Sequence, residues 1–216
     1  IAEIIYGYRV SEEEMVHRVR IKNQAELEPY IRQYGGCIVM LAHLGCWEWI
    51  ADAASRWTDG IRMDFIYRRL KSKSADKVMI ELRHKRGGGC IEMKYLLRQM
   101  VRDKNDDLCH VYGMLSDQKP SKNDLNCWVS FLHQDTPFIT GTEKLARRFN
   151  LPVFYIEIHY VERGIYELCG RLICEDSAST EEGYITRTYA KMLEENIESD
   201  PHMWLWTHKR FKYKKA

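Results

Sequence analysis

Two residues whose types suit acid–base chemistry stand five positions apart in the run His43-Leu-Gly-Cys-Trp-Glu48. A carboxylate on one imidazole nitrogen fixes the tautomer, leaves the other nitrogen to accept a proton and stabilises the imidazolium that forms. On a regular helix, five steps would leave the two side chains ~140° apart. The pairing therefore needs His43 on a strand-to-helix turn, with Glu48 in the first helical turns and its carboxylate folded back to the ring. Gly45 eases such a turn. No GxSxG serine elbow occurs, so the nucleophile is expected from the substrate: an acceptor hydroxyl that His43 deprotonates while it attacks an acyl carbon. Backbone N–H groups near Gly45 are candidates to stabilise the oxyanion. Two alternatives stay open. In one, His43 caps a strand and Glu48 is a solvated acid favoured by the helix dipole. In the other, Cys46 pairs with His43 as a covalent nucleophile.

The surrounding pattern supplies the required turn. Gly35-Gly36 opens an apolar run, Cys37-Ile-Val-Met-Leu-Ala42, that reads as a strand buried on both faces and ends at His43. A helix is expected over 44–57 and a second strand over 61–67. Further helices follow over 74–85, 93–102, 141–149 and 181–198, and strands over 108–115, 128–132, 151–160 and 166–174. The first 35 residues read as short amphipathic helices. This alternation predicts an α/β fold: a mostly parallel central sheet flanked by helices on both faces, with an antiparallel strand toward the end. In such sheets ligands sit at the carboxyl ends of strands, where His43 is placed.

The chain of 216 residues contains no linker or repeat and is expected to form a single domain over 1–216. A composition of 45% hydrophobic and 30% charged residues excludes a disordered chain. The net charge of +2 gives no general case for nucleic acid. Its basic residues are nevertheless clustered: Arg68, Arg69, Lys71, Lys73, Lys77, Arg83, Lys85 and Arg86 face only Asp76 and Glu81 within the same stretch. The plain reading is a solvated helix face, and the sharper one an anion-binding flank. A second cluster, Lys209, Arg210, Lys212, Lys214 and Lys215, lies beside Trp204 and Trp206 and suits a membrane surface. Seven cysteines without a CxxC pair read as reduced thiols, and no metal set is seen.

Several blocks together resemble the lipid A late acyltransferases, the lauroyl/myristoyl-transferase branch of the lysophospholipid acyltransferase superfamily. His43 to Glu48 is similar to that family's HxGxWE form of the H-x4-D/E motif. Tyr67-Arg68-Arg69-Leu70 resembles its YRPL-like stretch, Arg83-His-Lys-Arg86 its later arginine pair, and Asp117-Gln118 its DQ/DH motif. Phe131 to Ala146 and Met203 to Lys212 resemble two further blocks, so the likeness spans about residues 35–212. The resemblance implies a glycerolipid-acyltransferase-like fold and transfer of a fatty acyl chain from acyl carrier protein to a hydroxyl of a lipid acceptor. That acceptor would be a lipid A precursor or related bacterial lipid. It implies His43 as general base oriented by Glu48, with Arg68, Arg83 and Asp117 binding substrate. No metal and no cofactor are expected beyond the acyl carrier protein thioester as co-substrate. The expected partners are acyl carrier protein, an acceptor carrying phosphate or another anionic group, and an anionic membrane surface, but no nucleic acid. The expected place is the cytoplasmic face of the bacterial inner membrane, as a membrane-anchored or peripheral protein. Because the chain begins with Ile1 rather than Met, the family's N-terminal membrane helix is expected upstream. Cys46, Arg69 and Ser116 depart from the family's usual Asn, Pro and Pro, which leaves an amino-acid lipid, glycolipid or lysophospholipid open as acceptor. A hydrolase using water on the same His43 base, and a noncatalytic lipid-binding domain, are the competing functional classes.

Overall fold

The apolar run that begins at Gly36 becomes the middle of a sheet. A computed structural model describes residues 2–57 and 59–215. Three short helices, α1 (Ala2–Arg9), α2 (Glu12–Arg18) and α3 (Gln24–Tyr34), lead into the sheet, with β1 (Val19–Ile21) between the last two. Next come β2 (Gly36–Leu41), a 3₁₀ segment over Trp47–Arg56, β3 (Ile61–Tyr67), α4 (Lys73–Lys85) and β4 (Gly89–Glu92). After a 3₁₀ turn, Met93–Tyr95, the chain continues as α5 (Leu96–Asp103), β5 (Cys109–Leu115) and the hairpin β6 (Cys127–Phe131)–β7 (Gln134–Phe138). It then forms α6 (Gly141–Phe149), β8 (Val153–Glu162), β9 (Ile165–Cys174) and α7 (Tyr184–Ser199).

Seven strands form one sheet in the order β1-β9-β8-β2-β5-β3-β4. β8, β2, β5, β3 and β4 run parallel, whereas β9 returns antiparallel to β8 through the Arg163-Gly164 turn. Every residue of β2 is buried, as a central parallel strand requires. Phe154 of β8 packs its ring on Tyr30 of α3, while the next residue, Tyr155, packs on Tyr189 of α7. Successive strand residues point to opposite faces, so α3 and α7 cover opposite sides of the sheet. The expected α/β class is the observed one. No helix among the described residues is long and apolar enough to cross a membrane.

Three departures from the sequence expectations have local causes. Residues 47–56 wind as 3₁₀ rather than α-helix, and Trp49 to Ala54 are all buried, so packing on every side replaces the amphipathic pattern of a surface helix. β1 and β4 span only 3 and 4 residues at the two sheet edges, too short to show a period. β7 contains Pro137, a residue that argues against a strand but is tolerated in a two-stranded ribbon.

Candidate functional site

β2 and β5 are neighbours in parallel register, with Leu41 opposite Leu115 at their carboxyl ends. Two residues beyond each strand stand His43 and Asp117, so the register delivers them side by side. The Ser116 N–H donates to the Leu41 carbonyl and carries the ladder one residue further. His43 Nδ1 lies 2.7 Å from Asp117 Oδ1, and the His43 backbone N–H donates to Asp117 Oδ2 at 3.2 Å. The Trp204 indole N–H donates to the same Oδ2 at 3.0 Å. Burial pushes the Asp117 carboxyl up, but the hydrogen bonds and charge from His43 and the bond from Trp204 outweigh it. The net value falls below the ordinary 3.8, so Asp117 is a carboxylate at neutral pH.

The turn that carries His43 is strapped from outside. Gly45 has φ of +48°, and an added Cβ would lie 2.9 Å from the Tyr166 ring and 3.1 Å from the Met203 sulfur, so only glycine fits. The Gly45 N–H donates to the Met203 carbonyl and the Leu205 N–H to the His43 carbonyl. Segment 203–205 therefore pairs with 43–45 and brings Trp204 to Asp117. The Gly45 N–H, considered above for an oxyanion, is already engaged. Trp204 is 6% exposed and belongs to the site rather than to a membrane surface, whereas Trp206, at 52%, remains exposed.

Glu48 does not reach the His43 ring. The carboxylate contact expected of it is made by Asp117, and Glu48 instead binds Arg83. The Arg83 Nε donates to Glu48 Oε2 at 3.0 Å and Nη2 to Oε1 at 2.9 Å. The reason is local winding: the 3₁₀ segment starts at Trp47 and directs Glu48 toward α4, while the Trp47 ring takes the place beside the imidazole, centroid to centroid 5.0 Å. Burial works against the Arg83 charge, yet Glu48 raises its pKa above the ordinary value. Arg83 is thus held as a cation, and the pair is largely buried. Cys46 is buried, and burial together with Glu3 pushes its thiol far up, so no thiolate is available for covalent chemistry.

These groups border one cavity of about 450 Å³ at the carboxyl ends of β2, β3 and β5. His43, Glu48, Arg68, Asp76, Arg83, Gln118 and Lys119 provide its polar wall, and Leu70, Met79, Ile80, Met93 and Ile139 much of the apolar one. Arg68 is on the exposed rim, whereas Asp117 sits behind His43, buried to 2% exposure. A Gln118 amide nitrogen lies 3.3 Å from His43 Nε2, the ring nitrogen left over by Asp117. The remaining basic residues separate by burial. Arg86 is 4% exposed and donates to the Gly7 and Val10 carbonyls, a structural tie of α1 to α4. Arg210 is 1% exposed, which removes it from the surface cluster expected at the end of the chain.

Sequence spacing offered no signal for Trp204 or Gln118 beyond membership of motif blocks. Their roles arise from the 203–205 strap and from the loop after β5. The family described as bacterial lipid A biosynthesis acyltransferase has a model that matches residues 1–213. A comparison with curated proteins gave no significant match.

Proposed function

Because the chain belongs to the bacterial lipid A biosynthesis acyltransferase family, which is associated with the bacterial inner membrane, we propose a specific reaction for it. It moves a fatty acyl chain from the thioester of acyl carrier protein to a hydroxyl of a lipid A precursor or related lipid, at the cytoplasmic face of the membrane. His43 is the general base, and Asp117, not Glu48, is the carboxylate that orients it. The observation that carries this reading is the 2.7 Å contact between His43 Nδ1 and Asp117 Oδ1 at the wall of the cavity. With Nδ1–H donated to Asp117, Nε2 holds a lone pair. The Gln118 amide donates to it until an acceptor hydroxyl takes that place.

The steps balance without a covalent enzyme intermediate. His43 Nε2 takes the hydroxyl proton as the acceptor oxygen bonds to the thioester carbon, and the carbonyl electron pair moves onto oxygen. Collapse of that tetrahedral species breaks the carbon–sulfur bond. The departing thiolate then receives the proton from the His43 imidazolium, whose charge Asp117 stabilises. Glu48 holds Arg83 against the cavity wall as a fixed positive group, and Arg68 and Lys119 are the cations placed to meet the acceptor's anionic group. General-base catalysis contributes ~10²–10⁴-fold. The test is mass spectrometry of lipids from a strain lacking the gene, complemented with the natural protein, His43→Ala or Asp117→Asn. Only the natural protein should restore the missing acyl chain, and restoration by His43→Ala would reject this reading.

A further inference from the structure

Against the Phe131 ring that packs on Trp204 lies a charged group to which the mechanism so far gives no part. Arg210 is 1% exposed, and within the described residues its Nε, Nη1 and Nη2 make no hydrogen bond. Its guanidinium carbon sits 4.2 Å from the Phe138 ring centroid and 5.9 Å from that of Phe131. Phe131 packs edge-on against Trp204 at 5.8 Å, and the Trp204 indole binds Asp117. Burying a guanidinium without a hydrogen-bonded partner is costly, and two ring faces return only part of that cost. A cation kept in such a place has a charge that no contact neutralises. Its contacts lead to one carboxylate: Phe131, under the guanidinium, packs on Trp204, and the Trp204 indole N–H donates to Asp117.

We propose that Arg210 is a positioning residue acting through Asp117: its caged charge balances the buried carboxylate, so that His43 stays neutral and able to take the acceptor's proton. Without a balancing cation, a buried carboxylate against Nδ1 would favour the imidazolium and fill the base before substrate arrives. A ring-stacked guanidinium suits this role because it supplies field without competing for the carboxylate oxygens, which His43 and Trp204 already occupy. The other groups facing the pair do not supply it. Tyr155 and Tyr189 are buried phenols held neutral. His208 is held below its ordinary value by burial and by Lys119, and it accepts the Lys119 backbone N–H through Nε2 at 3.3 Å. Lys119 itself lies at the cavity wall.

The inference rests on the His43–Asp117 reading above and is tested without substrate, by NMR titration of the His43 ring in the full chain. In Arg210→Met the His43 midpoint should rise by about half a unit to one unit, whereas Arg210→Lys, which keeps the charge, should stay near the natural protein. Arg210→Met is expected to fold, because exchanging an unpaired buried charge for an apolar side chain of similar length is neutral or stabilising. Should it not fold, Arg210→Gln is read in the same titration. The acid limb of kcat/KM should move upward by the same amount in Arg210→Met. An unmoved His43 midpoint in Arg210→Met, or a Lys variant shifted as far as the Met variant, overturns the proposal. A moved midpoint in a protein that transfers no acyl chain would instead count against the transferase reading and leave the role of Arg210 standing.

Discussion

At the scale of single residues, the site separates two carboxylates by what each one touches. Asp117 faces an imidazole and Glu48 a guanidinium, so in the proposed mechanism the same chemical group orients a base in one place and fixes a cation in the other. Removing Glu48 therefore acts first on stability. Arg83 and Glu48 have side chains only 13% and 10% exposed, and Glu48→Ala should cost about 3–5 kcal/mol by leaving Arg83 uncompensated, measured by denaturant unfolding. A loss under ~1 kcal/mol would show that the pair is effectively solvated. The Asp117 carboxyl lies below its ordinary 3.8 in the folded protein, so its contribution to stability is complete above that value and is lost as pH falls through the lowered one. Asp117→Asn should accordingly flatten the acid side of the stability–pH curve, and an unchanged curve would mean that another carboxyl governs it. Cys46→Ala should keep its transfer rate, since the thiol is buried and held protonated.

At the scale of elements, the alternation of strands and helices was legible, because the fully buried run of β2 and the apolar strands β8 and β9 dominate their windows. Which strands are neighbours was not legible. β2 is followed in sequence by β3, but β5 inserts between them in the sheet, and this insertion brings Asp117 to His43 across 74 positions of chain. Reasoning along the chain found the carboxylate five residues away. The sheet register supplies the other one. Asp117 was still among the expected site residues, through a motif resemblance that carries no geometry. The β6–β7 hairpin was half legible, since Pro137 hid its second strand and the turn residues Leu132 and His133 lack the glycine that a tight hairpin favours. Both have positive φ, 48° and 61°, a region that exposed His133 tolerates better than Leu132. In His133→Gly the relieved φ and the added unfolded-state freedom of glycine offset each other, so Tm should stay within about 2 °C in a thermal melt. A fall of more than ~4 °C would show that the His133 side chain helps to hold the turn.

At the scale of the whole molecule, the near-neutral total of +2 hides an uneven surface. Leu70, Met93 and Tyr95 are exposed by 47%, 51% and 53%, Leu70 and Met93 at the cavity wall. Arg68, Lys71 and Lys73 flank Leu70 in the chain, while Arg69 pairs with Asp76 and Lys94 with Glu92. Apolar side chains flanked by cations suit an anionic bilayer, which would place the cavity mouth against the lipid that carries the acceptor. Two charges are worth ~2 kcal/mol at such a surface, so Lys71→Glu with Lys73→Glu should weaken binding to phosphatidylglycerol vesicles by at least ~30-fold. Phosphatidylcholine vesicles should show no such dependence, and equal binding of both proteins to anionic vesicles would move the docking face elsewhere. The chemistry inside the cavity meets its most direct test in one comparison of kcat. Acyl transfer from acyl carrier protein to a lipid A precursor is measured for Asp117→Asn beside Glu48→Gln. Asp117→Asn should lose ~10²–10⁴-fold in kcat while Glu48→Gln loses less. An Asp117→Asn enzyme that keeps its kcat, with the loss falling on Glu48→Gln, would contradict the assignment of Asp117 as the partner of His43.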